Sequence, residues 1–71
     1  MNFLAVIKKD GKQVTFERFG CKRAETVKRQ MLKLLQNSLY RACIDGADTV
    51  EIYATPDGYT MEERPCLAFS V

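Results

Sequence analysis

The sequence predicts an α+β fold in which a four-stranded, mainly antiparallel sheet carries one helix packed on one face, in the order β-β-α-β-β. Three observations support this fold class: two apolar runs separated by Asp10-Gly11, a stretch with helical spacing over residues 22–43, and two strand-like runs after residue 48. With 71 residues, 46% hydrophobic and 28% charged, the chain has the composition of a single small globular domain.

The first predicted element is a hairpin over residues 2–19. Asp-Gly between two apolar, partly β-branched runs favours a type I′ turn, because both central residues of that turn need positive φ. A two-residue loop at Asp10-Gly11 places Ile7 opposite Val14 and Ala5 opposite Phe16. One face of the sheet is then expected to hold Phe3, Ala5, Ile7, Val14 and Phe16, and the other Leu4, Val6, Lys8, Gln13, Thr15 and Glu17.

The second predicted element is one amphipathic helix over residues 22–43. At about 100° per residue, one side of this helix is apolar or small. That side holds Ala24, Val27, Met31, Leu34, Leu35, Ser38 and Ala42. Asp45-Gly46 predicts the end of the helix, because Gly46 is free to adopt the left-handed conformation that terminates helices.

A second hairpin is predicted over residues 49–71. Residues 49–55 alternate apolar and polar side chains at period two, and Pro56-Asp57-Gly58 is typical of a three-residue hairpin loop. The fourth strand is expected to run from Tyr59 toward Val71 with an interruption at Pro65, since proline cannot donate to a ladder. Several strand orders remain open: first strand beside third, second beside fourth, or a parallel pair of first and fourth.

The missing residue types argue against catalysis. Histidine, the commonest general base and metal ligand, is absent, and Cys21, Cys43 and Cys66 form no CxxC pair. We therefore expect three reduced thiols in a cytoplasmic protein, with no metal site and no cofactor. The minority alternative is thiol chemistry at Cys21, close to the start of the predicted helix.

Membrane association is not expected either. No apolar run approaches the roughly 20 residues that a membrane-spanning helix requires. Residues 1–7 are apolar, but they lack a basic region and end at Lys8-Lys9-Asp10, so they do not resemble a signal peptide.

The leading functional hypothesis is a non-catalytic interaction module. One helix can cover only one face of a four-stranded sheet, and a bare apolar face usually finds a partner. The predicted partner-binding residues on the uncovered face are Leu4, Val6, Thr15, Tyr53 and Met61. The sequence thus predicts binding of a protein partner, or of a second copy of the chain, through this face or through a strand edge.

The alternative hypothesis is nucleic-acid or anion binding by the helix. Residues 21–43 carry six Lys or Arg and one Glu, whereas residues 44–71 carry one Arg and six Asp or Glu. The candidate anion-binding residues, at the start and on the outer side of the helix, are Lys22, Arg23, Arg29, Lys33 and Tyr40. The acidic second hairpin and a net charge of only +2 rank nucleic acid behind protein as the partner.

Overall fold

The computed structural model describes residues 2–57 and 60–71 and shows the predicted α+β architecture. Its elements are β1 (Asn2–Lys9), β2 (Lys12–Gly20), α1 (Ala24–Leu35), α2 (Ser38–Cys43), β3 (Thr49–Ala54) and β4 (Leu67–Ser70). All neighbouring strands are antiparallel, in the order β2-β1-β3-β4. The first strand therefore lies beside the third, which selects one of the orders that the sequence left open. In the part of the chain described, neither helix has the length and apolarity needed to cross a bilayer.

The predicted turn of the first hairpin is confirmed, but its register is not the predicted one. Asp10 and Gly11 have φ values of 52° and 80°, as the turn requires. Ile7, however, pairs with Thr15 rather than Val14, because Val14 is an extra residue in β2 at a β-bulge. A shift of one residue moves each later side chain of β2 to the opposite face.

This bulge has a clear consequence for burial. Without it, Arg18 would point toward the helices and Phe19 away from them. With it, Phe19 lies opposite Phe3 and packs against the core, and Arg18 lies on the other face. Burial of an aromatic ring and exposure of a guanidinium both favour the bulged register.

The predicted helix over residues 22–43 is in fact two helices. α1 ends at Leu35, and the backbone of Asn37 is extended, with φ −78° and ψ 119°. The Asn37 side chain caps α2, because its Oδ1 accepts hydrogen bonds from the N–H groups of Leu39 (2.9 Å) and Tyr40 (3.2 Å). An asparagine in the middle of a helical pattern thus starts a second helix. Gly46 has φ +83°, as predicted for the residue that ends the helical stretch.

The hydrophobic core lies between α1 and the central strands β1 and β3. Its largest fully buried side chains are Ile7, Val27, Met31, Val50 and Ile52. Val27 and Met31 are four residues apart and so project from one side of α1 onto the sheet. Packing of this helical face on β1 and β3 is what holds the two layers together.

The second hairpin has a shorter fourth strand than predicted. β4 begins only at Leu67, which pairs with Ile52, and the described residues 60–66 belong to no strand, so the predicted long fourth strand is reduced to four residues. Asp57 lies in a turn and its Oδ1 accepts a hydrogen bond from the N–H of Thr60 at 2.7 Å. Pro65 precedes β4 and does not interrupt it, because in the described residues the strand begins only at Leu67. Gly58 and Tyr59, expected in the loop and at the start of the strand, lie outside the described residues.

Candidate partner-binding surface

Both helices lie on one side of the sheet, and the opposite side is called the open face here. Pairing across the strands places Leu4 beside Tyr53 and Arg18, and Val6 beside Glu51 and Phe16. Directly opposite residues in antiparallel strands share a face. The open face therefore consists mainly of Leu4, Val6, Phe16, Arg18, Glu51 and Tyr53.

Val6 is buried at the centre of the open face, although no helix covers it. Its side chain is only 2% exposed, whereas Leu4 and Tyr53 are half-buried. Phe16 on β2 and Glu51 on β3 flank it on either side. Val6 was predicted to contact a partner, but its neighbours already enclose it, so any partner would meet the surrounding side chains first.

A polar group on β1 and β3 forms part of that enclosure. The Lys8 Nζ lies 2.8 Å from Glu51 Oε1, and the Tyr53 hydroxyl donates to the same oxygen at 2.9 Å. The Lys8 contact and then the Tyr53 hydrogen bond hold the pKa of Glu51 below its usual value, and the pKa of Lys8 is raised in turn. The hydroxyl of the predicted contact residue Tyr53 is therefore already hydrogen-bonded within the sheet.

The side of the open face formed by β2 is more apolar and more exposed than the side formed by β3. Phe16 and Val14 are each 43% exposed, and the Arg18 guanidinium carbon lies 5.8 Å from the centre of the Phe16 ring. The sequence predicted Phe16 on the same face as the core residues Phe3 and Ile7. The bulge, which no local pattern indicated, places it on the open face instead.

The backbone of β2 is also available for pairing. The Thr55 N–H donates to the Asn2 carbonyl at 2.8 Å, so Asn2 and every second residue of β1 direct their backbone groups toward β3. Val6 belongs to that set, and Phe16 lies opposite it. The N–H and C=O of Phe16 therefore point away from β1, along the outer edge of the sheet.

Two of the five residues predicted for the uncovered face lie elsewhere. Thr15 pairs with Ile7, a fully buried core residue, and so lies on the helix side of the sheet. The bulge at Val14 is the physical reason, as it exchanges the faces of the β2 side chains. Met61 is exposed, but it lies in the connection between β3 and β4 and not on a strand.

The basic residues predicted to bind anions are exposed on and before α1. Arg23 is the N-cap residue of α1 and makes no side-chain capping bond, and Lys22 precedes it. Arg29 and Lys33 are exposed within the helix. In the described part of the chain, these four side chains make no ion pair, so their positive charge faces solvent.

Tyr40 does not join that basic line. It lies on α2, packs against the core, and donates its hydroxyl to Glu17 Oε1 at 3.3 Å. The predicted role of Tyr40 in stacking on a base is therefore not supported by its position, because the break at Asn37 turns the residue toward β2. Burial, together with the nearby Glu17 carboxylate, raises the pKa of Tyr40 to about 12.

A titration of the tyrosines should detect this environment. Because the folded-state pKa of Tyr40 exceeds the ordinary 10.0, its contribution to stability is full below pH 10.0 and is lost as the pH rises toward 12. Phenolate absorbance is expected to show a late phase near pH 12, and Tyr40→Phe should reduce it, with Tyr53 remaining because its hydrogen bond to Glu51 also raises its pKa. A late phase of unchanged size in Tyr40→Phe would contradict the assignment.

Cys21 is the remaining predicted candidate, for thiol chemistry. It is half-buried against the core, and its Sγ lies 3.8 Å from the Gln30 Oε1, while Cys43 and Cys66 are exposed free thiols. Across residues 2–57 and 60–71, no three His, Cys, Asp or Glu side chains are grouped as metal ligands.

No family model, curated protein or solved structure matches this chain.

Proposed function

We propose that this chain is a non-catalytic interaction module that binds protein through the surface around β2. The observation that carries this proposal is where apolar side chains are exposed. Six large apolar residues of the described chain are exposed, and three of them lie on β2 or α2: Val14, Phe16 and Leu39. These three residues are called the β2 surface below.

A hydrogen bond joins α2 and β2, the two elements that carry the β2 surface. Leu39, 78% exposed, precedes Tyr40, whose hydroxyl bonds to Glu17 of β2. Phe16 lies on the open face of the same strand, and Val14 is exposed at the bulge two residues before it. A surface that combines exposed apolar side chains with an unpaired strand edge favours a protein partner, since a strand can pair there and bury both.

A second candidate function is anion or nucleic-acid binding along α1. The observation in its favour is that Lys22, Arg23, Arg29 and Lys33 are exposed and make no ion pair in the described structure. Phosphate contacts by such side chains would make binding strongly dependent on salt. Tyr40, the only aromatic side chain that this hypothesis used, packs against the core instead of lying on this surface. Anion binding therefore ranks second.

Site-specific photo-crosslinking tests the two candidates together. A photoreactive phenylalanine analogue replaces Phe16, Leu32 or Arg29 in three separate preparations, which are irradiated in extract from the cells that produce the protein. We expect adducts with protein from position 16, and few from position 32, because Leu32 is as exposed (42%) but lies on α1. Unlabelled wild-type chain should compete with these adducts, and Phe16→Asp should compete poorly.

The outcomes separate the hypotheses. Equal labelling from positions 16 and 32, or equal competition by wild type and Phe16→Asp, would refute specific binding at the β2 surface. Adducts with nucleic acid from position 29 that disappear at high salt, without adducts from position 16, would establish the α1 hypothesis in its place.

A further inference from the structure

We propose that the junction of α1 and α2 is a hinge, and that α2 can leave β2 and join α1 in one continuous helix over residues 24–43. The form with two helices is called bent here, and the form with one helix is called straight. The straight form uncovers the helix side of β2, where the hydrogen bond from Tyr40 to Glu17 now holds α2. This hinge goes beyond the proposed function, because it is independent of which partner binds.

A single backbone angle separates the two forms. Gln36 has helical angles, with φ −79° and ψ −13°, and the φ of Asn37, −78°, also lies in the helical range. The ψ of Asn37 is extended, at 119°. Rotation of this one angle to about −40° would therefore bring α2 into line with α1.

The rotation exchanges hydrogen bonds instead of losing them. In the bent form, Asn37 Oδ1 accepts from the N–H groups of Leu39 at 2.9 Å and Tyr40 at 3.2 Å. In a continuous helix, these two N–H groups would donate to the backbone carbonyls four residues earlier. Arg41 already donates to the Asn37 carbonyl at 3.0 Å, which is its partner in either form.

The side-chain pattern continues across the break and suits the straight form. Ser38 and Ala42 extend the apolar and small side of α1 at helical spacing, yet both are exposed in the bent form. None of the residues of α2 is buried. A segment with few buried side chains costs little free energy to displace, so α2 belongs to the less stable part of the fold.

Tyr40 and Ile44 make the bent form the major one. Tyr40 packs against the core and donates its hydroxyl to Glu17 Oε1 at 3.3 Å. Ile44, the residue that follows α2, is only 3% exposed. The straight form gives up these contacts and is therefore the minor member of a two-state equilibrium.

The movement ends before β3. The Asp48 N–H donates to the Lys8 carbonyl at 2.9 Å, which anchors the start of that strand. Residues 44–48 connect α2 to this anchor and can span up to about 17 Å when extended. Gly46, with φ +83°, provides a second position where the chain can change direction.

Substitutions at positions 38 and 37 should shift the equilibrium in opposite directions. Ser38 begins α2, and proline suits the first position of a helix and keeps the preceding residue extended. In the straight form, its ring would clash with the carbonyl of Leu34. Ser38→Pro should therefore fix the bent form. Asn37→Ala removes the capping oxygen and favours helix at that position, so the straight population should rise about tenfold.

Nuclear magnetic resonance experiments that detect exchange on the microsecond-to-millisecond timescale measure the minor form. We expect exchange across residues 37–44 of the wild type, with a helical α-carbon chemical shift for Asn37 in the minor form. Ser38→Pro should abolish this exchange. Ser38→Ala is the matched control and should retain it, because alanine fits both forms. Circular dichroism verifies that each variant folds.

Three results would overturn the hinge. They are a wild type without exchange at residues 37–44, exchange that persists unchanged in Ser38→Pro, and a minor form in which the Asn37 shift is that of an unfolded residue. The third result would mean that α2 frays instead of straightening. Crosslinking from position 16 is measured separately, so failure of the hinge and failure of the proposed function are distinguishable.

Discussion

Replacement of Met31 by alanine is expected to lower the free energy of unfolding by about 3 kcal/mol, within the range of roughly 2–5 kcal/mol for large-to-small changes in a core. Met31 is fully buried on α1, which packs across β1 and β3. Truncation removes the apolar group that lies between the helix and the sheet and leaves a cavity. Domains of this size are stable by only about 5–15 kcal/mol, so the loss is a large fraction of the total.

Urea unfolding followed by far-ultraviolet circular dichroism measures this effect. Leu32→Ala is the matched control, since Leu32 is the next residue of the same helix and is exposed. It should change stability by no more than about 1 kcal/mol, because little apolar surface is lost there. Similar losses in the two variants would show that α1 does not pack on the sheet through the side that carries Met31.

Replacement of Val6 by asparagine should also destabilise the fold strongly, by roughly 2–4 kcal/mol. Val6 is 2% exposed on the open face and is enclosed by Phe16 and Glu51. An amide in its place would lose apolar burial and would leave polar atoms short of hydrogen-bond partners. The prediction is notable because the residue lies on the side of the sheet that has no helix.

Val14→Asn provides the comparison within β2. The same chemical change is made in a strand, but Val14 is 43% exposed at the bulge and lies in an edge strand. Its cost should be below about 1 kcal/mol in the monomer, measured by urea unfolding at a concentration where molar mass shows no association. Equal costs for the two valines would contradict the burial of Val6 and the exposure of Val14.

These two experiments bear on the proposed function as well as on the fold. If Val6 is structural, the binding proposed here would depend on the rim of the open face, above all on Phe16. The β2 side is where apolar groups remain for a partner to cover.

Local sequence signals determined much of this structure. The Asp10-Gly11 turn, the apolar side of α1 and the alternation of β3 were all readable, because turn geometry and side-chain periodicity depend on neighbouring residues. The same signals predicted an α+β sheet with one uncovered face, and placed Leu4, Val6 and Tyr53 on it. The helix break at Asn37 also has a local signal, a capping residue, which the continuing apolar spacing concealed.

The tertiary structure decided which β2 side chains face solvent. A single extra residue at Val14 exchanged Thr15 for Phe16 on the open face, and nothing local distinguishes the two registers. The choice depends on burying Phe19 beside Phe3 while keeping Arg18 out of the core, which are contacts between residues distant in sequence. The strand order and the enclosure of Val6 have the same origin. Register is set by the free energy of the whole packed sheet, whereas turns and helical faces are set by the few residues that form them.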